Sequence, residues 1–258
     1  MNNIEKNNSS AIYQPRVYRY KMGERFASFT LRLFETDIWV GYNKDTTVDK
    51  VEIYSFVEKK CILLRKELEN YILIHPEFKY ALVPLKLKEV TPEIVREMAI
   101  AAEITKVGPM AGVAGAFAEY IGKTCKKHLG LEELIIENGG DDYIDVSSEI
   151  RVSLNAGANP VSEKIHLIVP PDLCPLGLCA SSGTFGHSLS FGSADLVSVA
   201  CKSTILADQY ATYFANKIHK KENVEDILDQ ASQIKEILHI AVIKDDIIGI
   251  KGKLKISL

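Results

Sequence analysis

Apolar positions along the chain change their period several times, and each change predicts an element. Within Tyr18 to Tyr42, alternation in Phe29-Thr30-Leu31-Arg32-Leu33 and in Ile38-Trp39-Val40 predicts strands. From Thr47 to Ile74 the spacing is helical. Val48, Val51, Tyr54, Val57 and Cys61 turn one face inward, and Pro76 ends the run. Thr91-Pro92-Glu93 opens a second helix, with Thr91 as the capping hydroxyl, a proline at the first position and an early acid, running to about Lys106. Gly108-Pro109 breaks the chain. Met110 to Leu129 then predicts a third helix whose first half is unusually rich in small residues, and Gly130 suits a left-handed C-cap.

Strand-like runs follow at Leu134-Ile135-Ile136-Glu137, Tyr143-Ile144-Asp145-Val146, Ile150 to Leu154 and Ile165 to Val169. Residues from Leu178 to Ser188 read as a polar loop, with Asp195 to Cys201 as the next strand. Ser203 to His219 and Val224 to Leu238 predict helices, and the alternation from Ile240 to Leu258 predicts a closing hairpin. Strands, then helices, then strands, without a regular strand-helix-strand beat, predict an α+β fold. The simplest division is a flexible tail over residues 1–12 and a single domain over 13–258.

Composition narrows the function classes. Hydrophobic residues make up 47% and charged residues 25% of the 258, an ordinary globular balance. The net charge of −3 carries no basic excess that would mark a nucleic-acid partner. The polar start, Met1 to Ser10, has no apolar core of the kind a secretory signal needs. Val107 to Ala118 is much shorter than the roughly 20 residues that cross a bilayer, so no membrane association is expected. Cys61, Cys125, Cys174, Cys179 and Cys201 contain no Cys-x-x-Cys pair, which fits reduced thiols and a cytoplasmic setting.

Four segments could carry chemistry. In Val107 to Ala116, Gly108, Gly112 and Gly115 surround a helix start, where free N–H groups favour an anion; tight helix packing through small residues explains the same pattern. In Glu137-Asn138-Gly139-Gly140-Asp141-Asp142, the Asn-Gly step predicts a hairpin, and Asn138, Gly139 and Gly140 could also hold the polar edge of a ligand. Leu178 to Ser188 packs a thiol, hydroxyls, two glycines and an imidazole together. Ser181, Ser182, Gly183 and Thr184 offer hydroxyls and a bendable backbone to phosphate oxygens. Cys179 is a candidate nucleophile or an inert core thiol, and His187 a candidate acid–base group, metal ligand or structural hydrogen-bonder. Last, Asp208 and Thr212 lie four residues apart, on one face of a helix. A carboxylate and a hydroxyl so placed suit a hard cation such as Mg2+, although the pair alone also fits a solvated helix face.

Taken together these segments resemble an archaeal and bacterial family related to ApbE. The resemblance is carried by Val107-Gly108-Pro109-Met110-Ala111, Val113-Ala114-Gly115-Ala116, Glu137-Asn138-Gly139-Gly140-Asp141, Ser181-Ser182-Gly183-Thr184 and Gly186-His187-Ser188-Leu189-Ser190-Phe191-Gly192. Arg19-Tyr20, Glu35-Thr36-Asp37 and Pro76-Glu77-Phe78 add to it. The resemblance implies an ApbE-like α+β fold with a mixed, largely antiparallel sheet and packed helices. ApbE proteins are flavin transferases that use a metal-dependent site to cleave FAD and pass FMN to a threonine of a target protein. Asp208 and Thr212 fall on the two metal-binding positions of their late Ala-Asp-x-x-x-Thr segment, and Asn138 to Asp141 is similar to the turn beside their flavin. The chain departs from them at Ala114-Gly115-Ala116, where they carry Lys-Gly-Tyr, and at His187-Ser188-Leu189-Ser190-Phe191, where they carry His-Ile-x-x-Pro.

The expectation that follows is a cytoplasmic protein binding FAD, FMN or another phosphate-bearing small molecule with Mg2+, with nucleotidyl or FMN transfer as the reaction class. Two alternatives stand beside it. One is a thiol-dependent sulfur-handling protein acting through Cys179 and His187. The other is a non-catalytic protein that binds or assembles with a protein partner.

Overall fold

The alternation read in the first strands becomes a sheet buried on both faces. In the computed structural model, which describes residues 25–88, 90–184 and 191–258, β1 (Phe26–Leu33) and β2 (Thr36–Asn43) form an antiparallel hairpin. Every residue of β2 is buried, because Ile38, Val40 and Tyr42 face the helices while Trp39 faces the opposite side. The sheet continues through β3 (Leu134–Asn138), β4 (Asp141–Asp145), β7 (Leu176–Ser181), β8 (Leu196–Cys201), β9 (Ile237–Lys244) and β10 (Ile247–Gly252). Their spatial order is β1-β2-β3-β4-β7-β8-β9-β10, and each neighbouring pair is antiparallel. A smaller antiparallel sheet joins β5 (Ile150–Ser153), β6 (His166–Val169) and β11 (Lys255–Ser257).

Helices cover one face of the large sheet. On the β1–β4 half sit α1 (Lys50–Ile74), the single turn α2 (Glu77–Tyr80), α3 (Glu93–Thr105) and α4 (Val113–Leu129). On the β7–β10 half sit α5 (Thr204–Ala215) and α6 (Asn223–Ser232). α1 buries Ile53, Val57, Cys61, Leu64, Leu68 and Tyr71, a stripe three or four residues apart, and Asp49 caps it by accepting from the Val51 N–H at 2.7 Å. The opposite face packs Trp39, Ile135, Ile144, Leu176, Leu178 and Ala241 against Leu154, Leu167 and Val169 around the small sheet. This is the expected α+β fold. Among the described residues no helix is long and apolar enough to cross a membrane.

Several boundaries differ from the sequence reading. The third helix begins with a 3-10 turn at Pro109–Gly112 before α4 proper. Thr91 does not cap α3: its hydroxyl donates to the Lys88 carbonyl at 2.7 Å, and Pro92 takes the cap position. Leu178 to Ser181 belongs to a central strand rather than a polar loop. The last helix stops at Ser232, and β9 starts at Ile237, before the predicted hairpin. Gly130 does close α4 in the left-handed conformation, at φ 63°. The expected tail over residues 1–12, and Arg19-Tyr20, lie outside the described residues.

Candidate functional site: two acids where three elements meet

α5 and α4 pack antiparallel at very short range, and Gly115 permits it. A Cβ at Gly115 would lie 2.6 Å from the Thr204 carbonyl oxygen and 2.8 Å from the Asp208 Cβ. The two helices brace each other's first turns. Glu119 of α4 accepts from the Ser203 hydroxyl (2.9 Å) and the Ile205 N–H (3.0 Å) at the start of α5. Asp208 of α5 accepts from the Gly115 N–H (2.8 Å) in the first turn of α4, where the helix dipole favours a negative charge. Next along the chain, Gln209 is fully buried. Its Nε2 donates to the carbonyls of Met98 (3.0 Å) and Pro109 (3.2 Å), and its Oε1 accepts from Thr105 (2.9 Å), so the 3-10 turn is tied to α3 and α5.

Thr204, Asp208 and Thr212 recur every four residues and so share one face of α5. Beneath that face lies β7, where Cys179 stands opposite Asp141, the first residue of β4. The Cys179 thiol donates to the Thr204 carbonyl at 3.4 Å. Asp141 Oδ1 accepts from the Ala180 N–H at 3.3 Å. A second carboxylate is thereby brought to the face that carries Asp208. Both acids are only 7% exposed. Burial pushes the Asp208 carboxyl well up, against the opposing pull of the Gly115 N–H. Burial also raises Asp141, and the negative charge of Asp208 raises it further. Such a pair exchanges protons as a unit. It favours a shared proton or a bound cation, since neither acid has a lysine, arginine or histidine in ion-pair contact among the described residues.

The turn read as Asn138-Gly139-Gly140 is the β3–β4 hairpin, with Gly139 and Gly140 at φ 78° and 101°. The Asn138 amide donates to the Ala114 carbonyl at 3.1 Å, fastening the hairpin to the start of α4. The hairpin thereby sets Asp141 in place.

The other sequence-derived candidates divide. Gly108 and Gly112 serve close packing: a Cβ would meet the Ala81 carbonyl oxygen at 1.8 Å and the Gln209 side chain at 2.8 Å. Ser181 is buried in β7, opposite Val197. Beyond it, Ser182 Oγ accepts from the Thr184 N–H (3.1 Å), Gly183 N–H donates to the Ala194 carbonyl (2.9 Å), and the Thr184 hydroxyl reaches Asp195 (3.4 Å). This short turn is held by its own hydrogen bonds. His187 lies outside the described residues.

Of the two roles open to Cys179, its surroundings favour the core thiol. Its side chain is fully buried between β7 and α5 and already bonded to Thr204. Burial, with Asp141 and Asp208 nearby, pushes its thiol well up, which disfavours the thiolate that a nucleophile needs.

Sequence reading missed Asp141 as a site residue. Its only local signal is its place immediately after a glycine turn at a strand start. What brings it to Asp208 is the pairing of β4 with β7, which residue spacing does not encode.

Comparison with known proteins agrees with this architecture. Residues 19–243 match the family described as AbpE bacteria. A UPF0280 protein of Methanocaldococcus jannaschii is 39% identical over 212 residues, covering 80% of this chain and 85% of that protein. The fold is similar to that of the ApbE protein of Thermotoga maritima, with a TM-score of 0.63 at 8% identity over 88% of this chain and 96% of that one. It is likewise similar to the apo flavinyl transferase ApbE of Pseudomonas stutzeri, with a TM-score of 0.58 at 14% identity over 88% and 93%.

Proposed function

The chain belongs to the family described as AbpE bacteria, and from that membership together with the geometry at Asp208 we propose that it binds a flavin, or another phosphate-bearing ligand, beside a divalent cation, as a transferase. The observation that carries the reading is the Asp208–Thr212 face of α5. Asp208 has one oxygen set by the Gly115 N–H, while among the described residues its Oδ1 and the Thr212 hydroxyl make no hydrogen bond. Oxygen atoms of a carboxylate and a hydroxyl, nine-tenths buried and uncommitted, fit a hard cation such as Mg2+. When bound, such a cation supplies positive charge to ligand phosphates and polarises their oxygens. The protein's own contribution is orientation. Gly115 fixes the Asp208 carboxylate, Gln209 fixes the turn before α4, and Asn138 ties the neighbouring hairpin to α4. Flavin as the ligand is supported by likeness in fold to a flavinyl transferase. A cytoplasmic setting belongs to the same proposal and is supported by five cysteines that are all free.

The test is to incubate the full chain with FAD and Mg2+, remove free ligand and read flavin fluorescence. Wild type should retain flavin only when Mg2+ is present, and Asp208→Ala should retain none. Absence of retained flavin in wild type would remove flavin from the reading. A non-catalytic binding role is the second reading, favoured by exposed Leu73 at the end of α1 and Tyr80, Leu82 and Val83 at and just after α2. A change of oligomeric state or partner capture lost in Leu82→Asp with Val83→Asp, at unchanged ligand binding, would support it.

A further inference from the structure

The β1–β2 hairpin turns on Phe34 and Glu35 alone, since Leu33 pairs with Thr36. Phe34 takes a left-handed backbone at φ 55°, where glycine or asparagine is the ordinary residue, and it stands 85% exposed. A bulky ring held out in a costly conformation adds nothing to the core, so its use lies outside the chain. The Arg65 guanidinium supports the ring, 5.1 Å from its centroid, and pairs with Glu35 and Glu69, each at 2.7 Å. Arg65, Glu69 and Leu73 recur every four residues, so Leu73 extends the same row of α1. α2 lies within reach of the same turn. The Glu35 carboxyl is held down by its own backbone N–H, by Arg65 and, through charge alone, by Lys79, whose ammonium sits 5.6 Å from the Tyr80 ring. Leu82 and Val83 follow directly on a fixed backbone. Phe78 is buried edge-on against Tyr71, and a Cβ at Gly108 would meet the Ala81 carbonyl oxygen at 1.8 Å and the Leu82 Cα at 3.0 Å.

Leu73 is 82% exposed, Tyr80 72%, Val83 61% and Leu82 60%. With Phe34 they bare on the order of 600 Å² of apolar surface, the top of the range that a monomer leaves open and most of the roughly 800 Å² that each partner gives to a stable interface. Charge selects the partner. Glu35 and Glu69 stand exposed beside Phe34 and Leu73, and Lys86 and Lys88 stand exposed just beyond Val83. An anionic lipid surface would attract the lysines and repel the acids, whereas a surface that carries both signs complements itself after a half-turn. We propose that this surface is the two-fold interface of a homodimer. Phe34 of each copy packs among Tyr80, Leu82 and Val83 of the other, while Glu35 and Glu69 of one copy meet Lys86 and Lys88 of the other. The inference rests on the second reading above only in taking this surface as a contact. It supplies the occupant, a second copy of the chain, and requires neither flavin nor cation.

The experiment is sedimentation velocity of the full chain, without ligand, at concentrations from about 1 to about 100 μM, with thermal melting of each variant as the check on folding. Wild type should run as a dimer at the upper end. Phe34→Gly should melt near the wild-type temperature or above it, because glycine takes the left-handed backbone without strain, yet associate about tenfold more weakly. Val51→Asp, exposed at the opposite end of α1, should stay within about twofold of wild type. Glu35→Lys with Glu69→Lys, and separately Lys86→Glu with Lys88→Glu, should each lose self-association. An equimolar mixture of the two should regain it, since opposite signs then face each other again. A monomeric wild type at about 100 μM would overturn the dimer and leave the second reading to its own capture assay. A monomer that sediments with phosphatidylserine vesicles would overturn it in favour of a lipid surface. A dimer untouched by Phe34→Gly and by both charge reversals would overturn the assignment of this surface.

Discussion

Glu119 of α4 and Asp208 of α5 each reach across to the first turn of the other helix, yet their surroundings differ. Glu119 accepts from the Ser203 hydroxyl and the Ile205 N–H and forms an ion pair with Lys123. Asp208 accepts one N–H, has no cationic partner among the described residues and faces a second acid. The first carboxylate is satisfied by the fold and serves the helix start. The second is left needing a positive charge that the protein does not supply. Glu133 shows the satisfied pattern again. Burial pushes its carboxyl up, but the ion pair with Arg25 and the hydrogen bonds from Ser147 outweigh burial and hold it down at about 2. Identical chemistry is thus satisfied by the fold in one place and, on the proposed reading, open to a ligand in another, and the accounting of partners separates the two.

The sharpest break of the comparison is to force the helices apart. Gly115→Val would drive side-chain carbons into the Thr204 carbonyl and Asp208, moving the N–H that orients the acid. Overpacking against backbone should cost about 3 kcal/mol or more, read by urea denaturation. A cost under about 1 kcal/mol would mean that the two helices are not locked at this contact. Next in size, Glu119→Ala strands a buried N–H and hydroxyl and should cost about 2–3 kcal/mol. In the same assay Asp208→Asn should be neutral or stabilising in metal-free buffer, because the amide oxygen still accepts from Gly115 while the crowding of like charge is relieved. Equal losses in the two variants would erase the distinction between them.

Acidity sharpens the contrast further. The Asp208 carboxyl is pushed up to about 7 from an ordinary value of 3.8, so the folded chain binds more protons than the unfolded chain between these limits. Its contribution to stability is present at low pH and lost as pH rises through about 7. Glu133, lowered to about 2, behaves oppositely: its contribution is present above the ordinary carboxyl range and lost as pH falls towards 2. In chelator, wild type should lose about 2 kcal/mol relative to Asp208→Asn between pH 4.5 and 7, after allowance for water reaching the site. Parallel stability curves for the two proteins across that range would show that the acid pair carries no strain of charge.

What was legible in the chain follows the range of the interactions involved. The Asn138-Gly139-Gly140 turn, the Gly130 cap and the Asp208–Thr212 spacing are local, so residue order was enough to read them. β7 was hidden because its inward positions are small. Gly177 lies under Thr204 of α5, where a Cβ would fall 2.3 Å from the Thr204 Cα, and Cys179 lies beneath the same turn. A strand thinned to admit a helix loses the bulky alternation that announces strands. Asp141 was hidden for a different reason: its neighbours come from β7 and α5, far along the chain. The glycines at 108, 112 and 115 were legible as a cluster, and the contacts display close packing at all three, with the Gly115 N–H also holding the Asp208 carboxylate.

The smallest expected effect tests the comparison most directly. Thr212 is buried yet its hydroxyl bonds to nothing among the described residues, so Thr212→Val replaces an uncommitted oxygen with a methyl of nearly the same size. Were the hydroxyl structural, as the Ser203 hydroxyl is at the start of α5, its loss would cost about 1 kcal/mol or more. With no bond to lose, and a hydroxyl that is not sealed from solvent, stability should shift by less than about 0.5 kcal/mol, in either direction. Divalent cation should stabilise the variant less than it stabilises wild type, because one donor is gone. A large loss in the absence of cation would place Thr212 with Glu119 among the residues that serve the fold. A small loss with a weakened cation response would place it with Asp208, on the side of α5 that the fold leaves open.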